Sequence, residues 1–381
     1  MTDQTEIVSD LKRFADLQPY WDRLWERCNG YIFQHHRWIA AWLEASYPSA
    51  RPCIAIQWRE GEIVAAIPLA VVRRLGLRVL EWSAQAMSDY CDALATPGAM
   101  ASIVPLWNAV WNAGGFDLVS LGQIRPDATA RRCIDKDWNS SSGFARQSRE
   151  QRCFGVHYAG RNADTWFRSL GKKGRNNFWR GERIIAGIGG DVAFRSIGST
   201  DPSIGADLRR ILALKRAMLR TRKKASLLLT RSGDPLEAML DAAASTGLIR
   251  LFLLTSGGRV AAASVNFVRG NSMQAYLTSY DNEFERGSPG MLLIINYVRW
   301  AFDNGLTEVD FLRGDEPFKV RLANIEVVLN NYVAARTFIG TAALAAHRWR
   351  ARLARDSQPG EGGSEISSSL AVHLPQLATE E

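Results

Sequence analysis

Leu248-Ile-Arg-Leu-Phe-Leu-Leu-Thr-Ser-Gly-Gly-Arg-Val-Ala-Ala-Ala-Ser-Val-Asn-Phe-Val268 reads as two β-strands closed by a tight turn. Apolar, β-branched and aromatic residues fill both arms, and Ser256-Gly257-Gly258 supplies backbone that takes positive φ at little cost. A third strand-like run, Met273 to Tyr280, follows. Ser288 and Pro289 are favoured residues for an N-cap and a first helical position, and Asn304-Gly305 stops the helix after Asp303. Thr307 to Leu312 is one more strand. Hairpin strands run antiparallel and strands joined through a helix run parallel, so this order predicts an α/β (α+β) unit with a mixed sheet flanked by helices.

The first half of the chain repeats that order. Cys53–Trp58 and Ile63–Val72 flank Arg59-Glu-Gly-Glu62, and Arg78–Ser83 is a third strand. Ile103–Ala113 has helical apolar spacing, ends at Gly114-Gly115, and leads into strand Phe116–Leu121. Gly61-Glu-Ile-Val-Ala-Ala66 matches Gly258-Arg-Val-Ala-Ala-Ala263, and Asn112-Ala-Gly-Gly-Phe-Asp117 matches Asp303-Asn-Gly-Leu-Thr-Glu308. Helices are predicted over Phe14–Cys28 and His36–Tyr47 in the first half, and over Ala163–Ala186 and Pro202–Arg222 in the second, with strand Asp191–Ile197 between the latter two. The expected organisation is a tandem repeat, residues 1–155 and 156–340, followed by a basic helix (Thr341–Arg355) and a Gly/Ser/Glu-rich tail expected to be disordered.

Composition narrows the function classes. With 381 residues, 46% hydrophobic and 23% charged, the chain is long enough for two domains and too apolar for wholesale disorder. The net charge of +8 is not evenly spread: residues 161–231 hold 17 Lys/Arg and 5 Asp/Glu, a local net of +12, and the remainder is mildly acidic. Any polyanion partner must be met there. The five cysteines, Cys28, Cys53, Cys91, Cys133 and Cys153, form no C-x-x-C pair, and the five histidines have no metal-ligand spacing, so neither a disulfide framework nor a metal is expected. The polar N-terminus lacks the apolar core of a secretory signal, and the longest apolar run, Val64–Val72, is short for a membrane span. A reducing, cytoplasmic setting is the expectation. No G-x-S-x-G or Walker loop is present. Most of the thirteen Trp suit a core, with Trp38, Trp166 and Trp179 as candidates for stacking on sugars.

Two stretches can carry chemistry. In Tyr280-Asp-Asn-Glu-Phe-Glu-Arg-Gly-Ser-Pro-Gly-Met291 a strand enters a loop and then a capped helix, whose first N–H groups and positive dipole end suit an anion. Gly287 and Gly290 would let a phosphate approach and Arg286 would pair with it, although Ser288-Pro289-Gly290 also reads simply as a good helix start. In Val309-Asp-Phe-Leu-Arg-Gly-Asp-Glu-Pro-Phe-Lys319 a strand ends in polar and turn-forming residues. Asp310, Asp315 and Glu316 are candidate bases there, and Arg313 and Lys319 candidate anion holders; a salt-bridged turn is the alternative.

Asp310-Phe-Leu-Arg-Gly-Asp-Glu-Pro-Phe-Lys319 resembles the C-terminal signature of bacterial GNAT-superfamily acyltransferases of the CelD type, linked to cellulose and other exopolysaccharide production. Phe33–Trp42, Ala65-Ala-Ile-Pro-Leu69, Ser88-Asp-Tyr-Cys-Asp92, Leu170-Gly-Lys-Lys-Gly-Arg-Asn-Asn177, Tyr280-Asp281 and Ser288-Pro-Gly290 extend the likeness over about residues 10–335. The resemblance implies tandem GNAT-like acyl-CoA N-acyltransferase folds, distantly similar to the FemABX aminoacyl transferases. It implies acetyl-CoA or another acyl-CoA as co-substrate, held between two splayed strands with its pyrophosphate at the next helix. That maps onto the strand ending at Tyr280 and onto Arg286, Gly287, Ser288 and Gly290. The chain departs from the usual Q/R-x-x-G-x-G/A pattern, since Pro289 stands three residues after Arg286. Phe318-Lys319 resembles the Phe-Lys of FemABX proteins, which implies Lys319 as a substrate contact.

The implied activity moves an acyl group to an amine or hydroxyl of a sugar, polysaccharide precursor or related metabolite. Asp310, Asp315 or Glu316 would serve as base and Tyr280 as the acid for the leaving thiolate; Arg313, Lys319, Asp281, Asp89 and Asp92 are candidate substrate contacts. Alternatives are aminoacyl transfer from aminoacyl-tRNA and a non-catalytic role beside polysaccharide synthesis machinery. Nucleic acid is otherwise not an expected partner, because the Lys/Arg run belongs to the resemblance.

Overall fold

The computed structural model describes residues 3–135, 143–146, 151–159, 162–223 and 226–356. In the first half, β1 (Gln4–Val8) leads to helices α1 (Leu11–Asp16), α2 (Gln18–Arg27) and α3 (His36–Ser46). Strands β2 (Ala50–Pro52), β3 (Ile54–Arg59), β4 (Glu62–Ile67), β5 (Leu69–Arg74), β6 (Leu77–Trp82) and β7 (Leu94–Ala95) come next, then α4 (Ile103–Ala113), β8 (Leu118–Ile124), α5 (Thr129–Cys133) and β9 (Ala145–Arg146). The second half runs β10 (Gln151–His157), α6 (Ala163–Ser169), α7 (Gly171–Gly189), β11 (Val192–Gly198), α8 (Ile204–Thr221), α9 (Pro235–Ala244), β12 (Ile249–Ser256), β13 (Arg259–Arg269) and β14 (Ser272–Tyr280). It closes with α10 (Pro289–Asp303), β15 (Glu308–Arg313), α11 (Pro317–Leu322), β16 (Ile325–Ala335) and α12 (Phe338–Asp356).

Two compact units divide the chain: residues 1–150 with 328–381, and residues 151–327. Sequence reading kept 328–340 with the second repeat. Beyond Val328, however, β16 pairs antiparallel with β8, Tyr332 opposite Leu121 and Ala335 opposite Leu118, and that ladder places the segment in the first unit. The tail after Asp356 lies outside the described residues.

Each unit contains the same mixed-sheet connection. In the second unit the strand order is β11-β12-β13-β14-β15-β10, antiparallel throughout except for the parallel pair β14 and β15, which α10 joins. In the first unit β5 and β6 are antiparallel, and α4 carries the chain from β6 to a parallel β8. The order there is β16-β8-β6-β5-β2, with β9 on β16 and a separate sheet β1-β3-β4-β7. The run Ile63–Val72, expected as one strand, is two. Pro68 has no N–H to donate, so β4 and β5 part there and join different sheets.

Local chemistry explains the boundaries in the second unit. Gly305 takes φ +81 after α10, and the Leu306 N–H reaches back to Ala301 O at 3.0 Å, closing the helix as a left-handed cap does. The basic stretch predicted as one helix is α6 and α7, separated at Leu170, with Gly171 at φ +69. Phe252, Leu254, Met273, Val309 and Phe311 form one core with Leu293, Val298 and Phe302 of α10 and Trp166 and Phe167 of α6. Strand side chains alternate, so Leu251 and Leu253 face the other side of the sheet, and α8 lies along β13 and β14. Each fully buried Leu or Phe contributes roughly 1.5–3 kcal/mol.

Among the described residues, no helix is long and apolar enough to cross a membrane, and no group of His, Cys, Asp or Glu has metal-binding arrangement. The five cysteines are free, all but Cys28 buried. Trp38 and Trp166 are core residues, which removes them as sugar platforms; Trp179 is 47% exposed on α7.

Candidate active site

The parallel pair β14–β15 opens partway along its length. Ser272, Met273 and Gln274 pair with Glu308, Val309 and Asp310, and the pairing stops there. Beyond Gln274, β14 continues to Tyr280 on β13 alone, and β15 continues to Arg313 on β10 alone. Two bulges flank the vertex. Opposite Val265 and Asn266, β14 carries an extra residue, Tyr276; opposite Cys153–Gly155, β15 carries one extra residue between Asp310 and Arg313. A bulge bends its strand and increases the local twist, so two at one level drive the strands apart. Asp310, 7% exposed, holds the second bulge: its Oδ1 accepts from the Leu312 N–H at 2.7 Å, where Leu312 takes φ +58. Gln274, 5% exposed, is its partner in register. Both side chains stand at the vertex, and only Asp310 was singled out from sequence.

The mouth of the opening is built by the end of β14 and the start of α10. The Asp281 carboxylate accepts from Glu283 N at 3.0 Å and so caps a single 3₁₀ segment, Asn282–Gly287. Arg259 forks onto Glu283 and lies 3.8 Å from Asp281. Ser288 precedes α10 as expected, but in the left-handed region (φ +53), and its hydroxyl makes no capping bond. Its carbonyl instead accepts from Met291 N at 3.0 Å and Leu292 N at 3.2 Å. Gly290 lies beside Tyr280: a Cβ there would stand 3.3 Å from the ring. Arg286 is exposed. Gly287 corrects the sequence reading, because it is buried under α7 rather than open to a ligand. A Cβ on Gly287 would stand 2.5 Å from Ile185, and one on Gly181 would stand 2.5 Å from the Gly287 carbonyl. The glycine pair lets α7 meet the loop backbone to backbone.

Helix α8 closes the exposed side of β14. Lys215 Nζ donates to Thr278 O at 2.7 Å. Arg222 lies 5.0 Å over the Tyr280 ring and donates to Glu285 at 2.6 Å. Burial raises the Tyr280 phenol pKa, against the pull of Arg222 and with a smaller push from Glu285. The group therefore stays protonated at neutral pH, as an acid must. Sequence reading did not single out Arg222 or Lys215, whose contacts arise only when α8 packs on β14.

After β15 the chain is tied rather than open. Gly314 takes φ +118, and Lys319, 7% exposed, donates to Arg313 O and stands 3.1 Å from Glu316. Lys319 thus clamps the turn through Arg313 O and Glu316. Asp315 and Glu316 are exposed on the same turn and Arg313 is half-buried.

The first unit has the same parting of strands, but filled. Val79–Glu81 pair with Leu118–Ser120, then β8 bulges against β16, with Gln123 at φ +60 in the place of Leu312. Gln85, 1% exposed, reaches in and accepts from Gly122 N at 2.8 Å, while Asn331 accepts from Gln123 N at 2.9 Å. Asp92 accepts from Ala93, Thr129 and Ala130 N–H groups at 2.8–2.9 Å, capping α5; burial nevertheless pushes its carboxyl up to about 6. Asp92 is thus committed to capping α5, and Asp89 is buried, 8% exposed.

Residues 172–320, which include both splayed strands and α10, match the acetyltransferase (GNAT) domain family. The chain carries a GNAT acetyltransferase domain. Among solved structures, FemX is similar at 12% identity over 87% of this chain and 97% of its own, with a TM-score of 0.54. The C-terminal DUF2156 domain of a candidate lysylphosphatidylglycerol synthetase from Agrobacterium fabrum is similar at 13% identity over 85% and 94%, TM-score 0.51. These likenesses extend the fold across both units. No curated protein matches the chain by sequence. β14, β15 and the start of α10 all lie within the matched residues.

Proposed function

We propose that the second unit transfers an acetyl or other acyl group from an acyl-CoA to an amine or hydroxyl of a sugar, polysaccharide precursor or related metabolite. The observation that carries this reading is the parting of β14 and β15 beyond Gln274 and Asp310, inside the GNAT match. It leaves strand backbone on β14 without a ladder partner, able to bind an extended amide-bearing ligand. The acyl-CoA supplies the activated thioester. Asp310, at the vertex, accepts the acceptor's proton, with Asp315 and Glu316 as alternatives on the following turn. The acceptor nitrogen or oxygen bonds to the acyl carbon as the C–S bond breaks, and the Tyr280 phenol donates a proton to the sulfur. Arg286 and the Gly290 N–H, at the positive end of α10, suit the pyrophosphate, and Asp281 and Arg313 line the entrance. The CelD-type resemblance supports an exopolysaccharide setting in the cytoplasm.

A second reading, aminoacyl transfer from aminoacyl-tRNA, draws on the FemX-like fold and the local net of +12 in residues 161–231. Thermal melting with acetyl-CoA, CoA and aminoacyl-tRNA separates the two. A ligand at a hundred times its Kd stabilises by about 2.7 kcal/mol. Stabilisation by acetyl-CoA supports the first reading; stabilisation by aminoacyl-tRNA alone would replace it.

A further inference from the structure

We propose that a cavity between α8, the 227–231 turn and the start of α9 binds an anionic group, phosphate or carboxylate, on the acyl acceptor. This rests on the acyl-transfer reading and specifies the class of its second substrate. The cavity measures about 590 Å³ and is lined by Arg216, Arg220, Arg231, Leu228, Asp234 and Glu237, among others. That volume falls in the range of ~300–1,000 Å³ usual for small-molecule sites.

The charges are unequally satisfied. Glu237 stands 3.9 Å from Arg216 and offsets that guanidinium. Arg220 and Arg231 make no ion pair or side-chain hydrogen bond among the described residues, although both face the cavity. Three guanidinium groups against two carboxylates leave the lining net positive, and an oxyanion bound by Arg220 and Arg231 gains charge-assisted hydrogen bonds. Asp234 and Glu237 line the same cavity and can accept from hydroxyl or amine groups, so a ligand carrying both an anion and neutral or basic donors fits better than a simple polyanion.

The location suits an acceptor. Helix α8 carries Arg216 and Arg220 to the cavity and, from the neighbouring positions, carries Lys215 to the Thr278 carbonyl and Arg222 to the Tyr280 ring. The cavity therefore lies one helix, roughly 10 Å, from the unpaired end of β14. Three of the seventeen basic residues that make the central segment positive acquire a specific use.

The test is calorimetric titration of the full chain, with CoA saturating so that the donor's own anion site is occupied. Inorganic phosphate and succinate are the two probes. Saturable binding of either is expected, at least tenfold weaker in Arg220→Ala and in Arg231→Ala and unchanged in Arg180→Ala, an exposed arginine on α7 outside the cavity. Phosphate binding would assign a phosphorylated acceptor and succinate binding a carboxylate. CoA affinity, measured separately, should be the same in all four proteins. Absence of saturable binding for both probes, or equal binding in the variants, overturns the proposal. Failure of CoA itself to bind wild type would instead count against the acyl-transfer reading.

Discussion

Asp310 accepts a hydrogen bond from the backbone N–H of Leu312, two residues on, at 2.7 Å, and so fixes the bulge at which β14 and β15 part. One side chain thereby shapes the opening and stands at its vertex, and two substitutions separate those contributions. Asp310→Asn keeps an oxygen acceptor for Leu312 and loses the base. Acyl transfer, followed as release of CoA thiol, should fall ~10²–10⁴-fold while the melting temperature stays close to wild type. Asp310→Ala should lose activity and also about 1–3 kcal/mol of stability, because a buried N–H is orphaned. Near-wild-type turnover in Asp310→Asn would transfer the base to Asp315 or Glu316.

Gly181 and Gly287 let α7 and the loop before α10 meet backbone to backbone. A methyl on Gly181 would stand 2.5 Å from the Gly287 carbonyl and 2.7 Å from Leu292 Cδ1; the Leu292 side chain can shift, but the carbonyl cannot yield without moving the loop. Gly181→Ala should cost about 1–3 kcal/mol in urea unfolding and weaken CoA binding by displacing Arg286 and Gly290. Gly187→Ala is the control: it lies on the same helix with open space around it, so removal of glycine there should slightly stabilise the helix. Equal behaviour of the two variants would show that the close approach does not matter.

The Asp117 carboxylate receives Arg78 N at 3.0 Å, the Arg78 guanidinium at 2.8 and 3.1 Å, and the Thr337 hydroxyl at 3.2 Å. The Arg78 side-chain bonds are the main reason its pKa is held down to about 2 from an ordinary 3.8. A carboxyl whose folded pKa is depressed stabilises the fold at every pH above its unfolded value and loses that contribution as pH falls toward the folded one. Stability should therefore drop between about pH 4 and pH 2, measured by urea unfolding, and Asp117→Asn should flatten that part of the profile. Parallel acid slopes in the two proteins would contradict the assignment.

What the sequence displayed and what it hid follow from the range of the interactions concerned. The β12–β13 hairpin, α10 and the order of elements were legible because turn glycines, caps and apolar spacing are local signals. Strands β10 and β16 went unread. Gln151-Arg-Cys-Phe-Gly-Val-His157 carries no clear alternation, and the place of β16 depends on pairing with β8, two hundred residues earlier in the chain. Bulges leave no mark in composition, so the parting of β14 and β15 came only through family resemblance. Asp310 and Tyr280 could be named because polar residues at strand ends stand out. Gly287 signalled close approach correctly, but sequence alone does not say whether ligand or helix approaches. Lys319 and Asp92 have structural partners that sequence could not show, because a clamp and a cap use the same residue types as a binding site.

The two units share a parted strand pair, yet only one is open, and Gln85 makes the difference. Its side-chain carbonyl takes the Gly122 N–H at 2.8 Å in a position 1% exposed to solvent, so a buried side chain is bonded to β8 just where the two strands part. A Cβ on Gly122 would itself stand 2.9 Å from the Asn331 side chain, so there is no slack on the other side. One CoA per chain is the expected stoichiometry by calorimetry. Gln85→Ala should lower stability by about 1–3 kcal/mol through the orphaned Gly122 N–H and leave affinity at the β14–β15 opening unchanged. Two CoA molecules bound per wild-type chain would mean that the glutamine yields to ligand and that the first unit retains a working cleft.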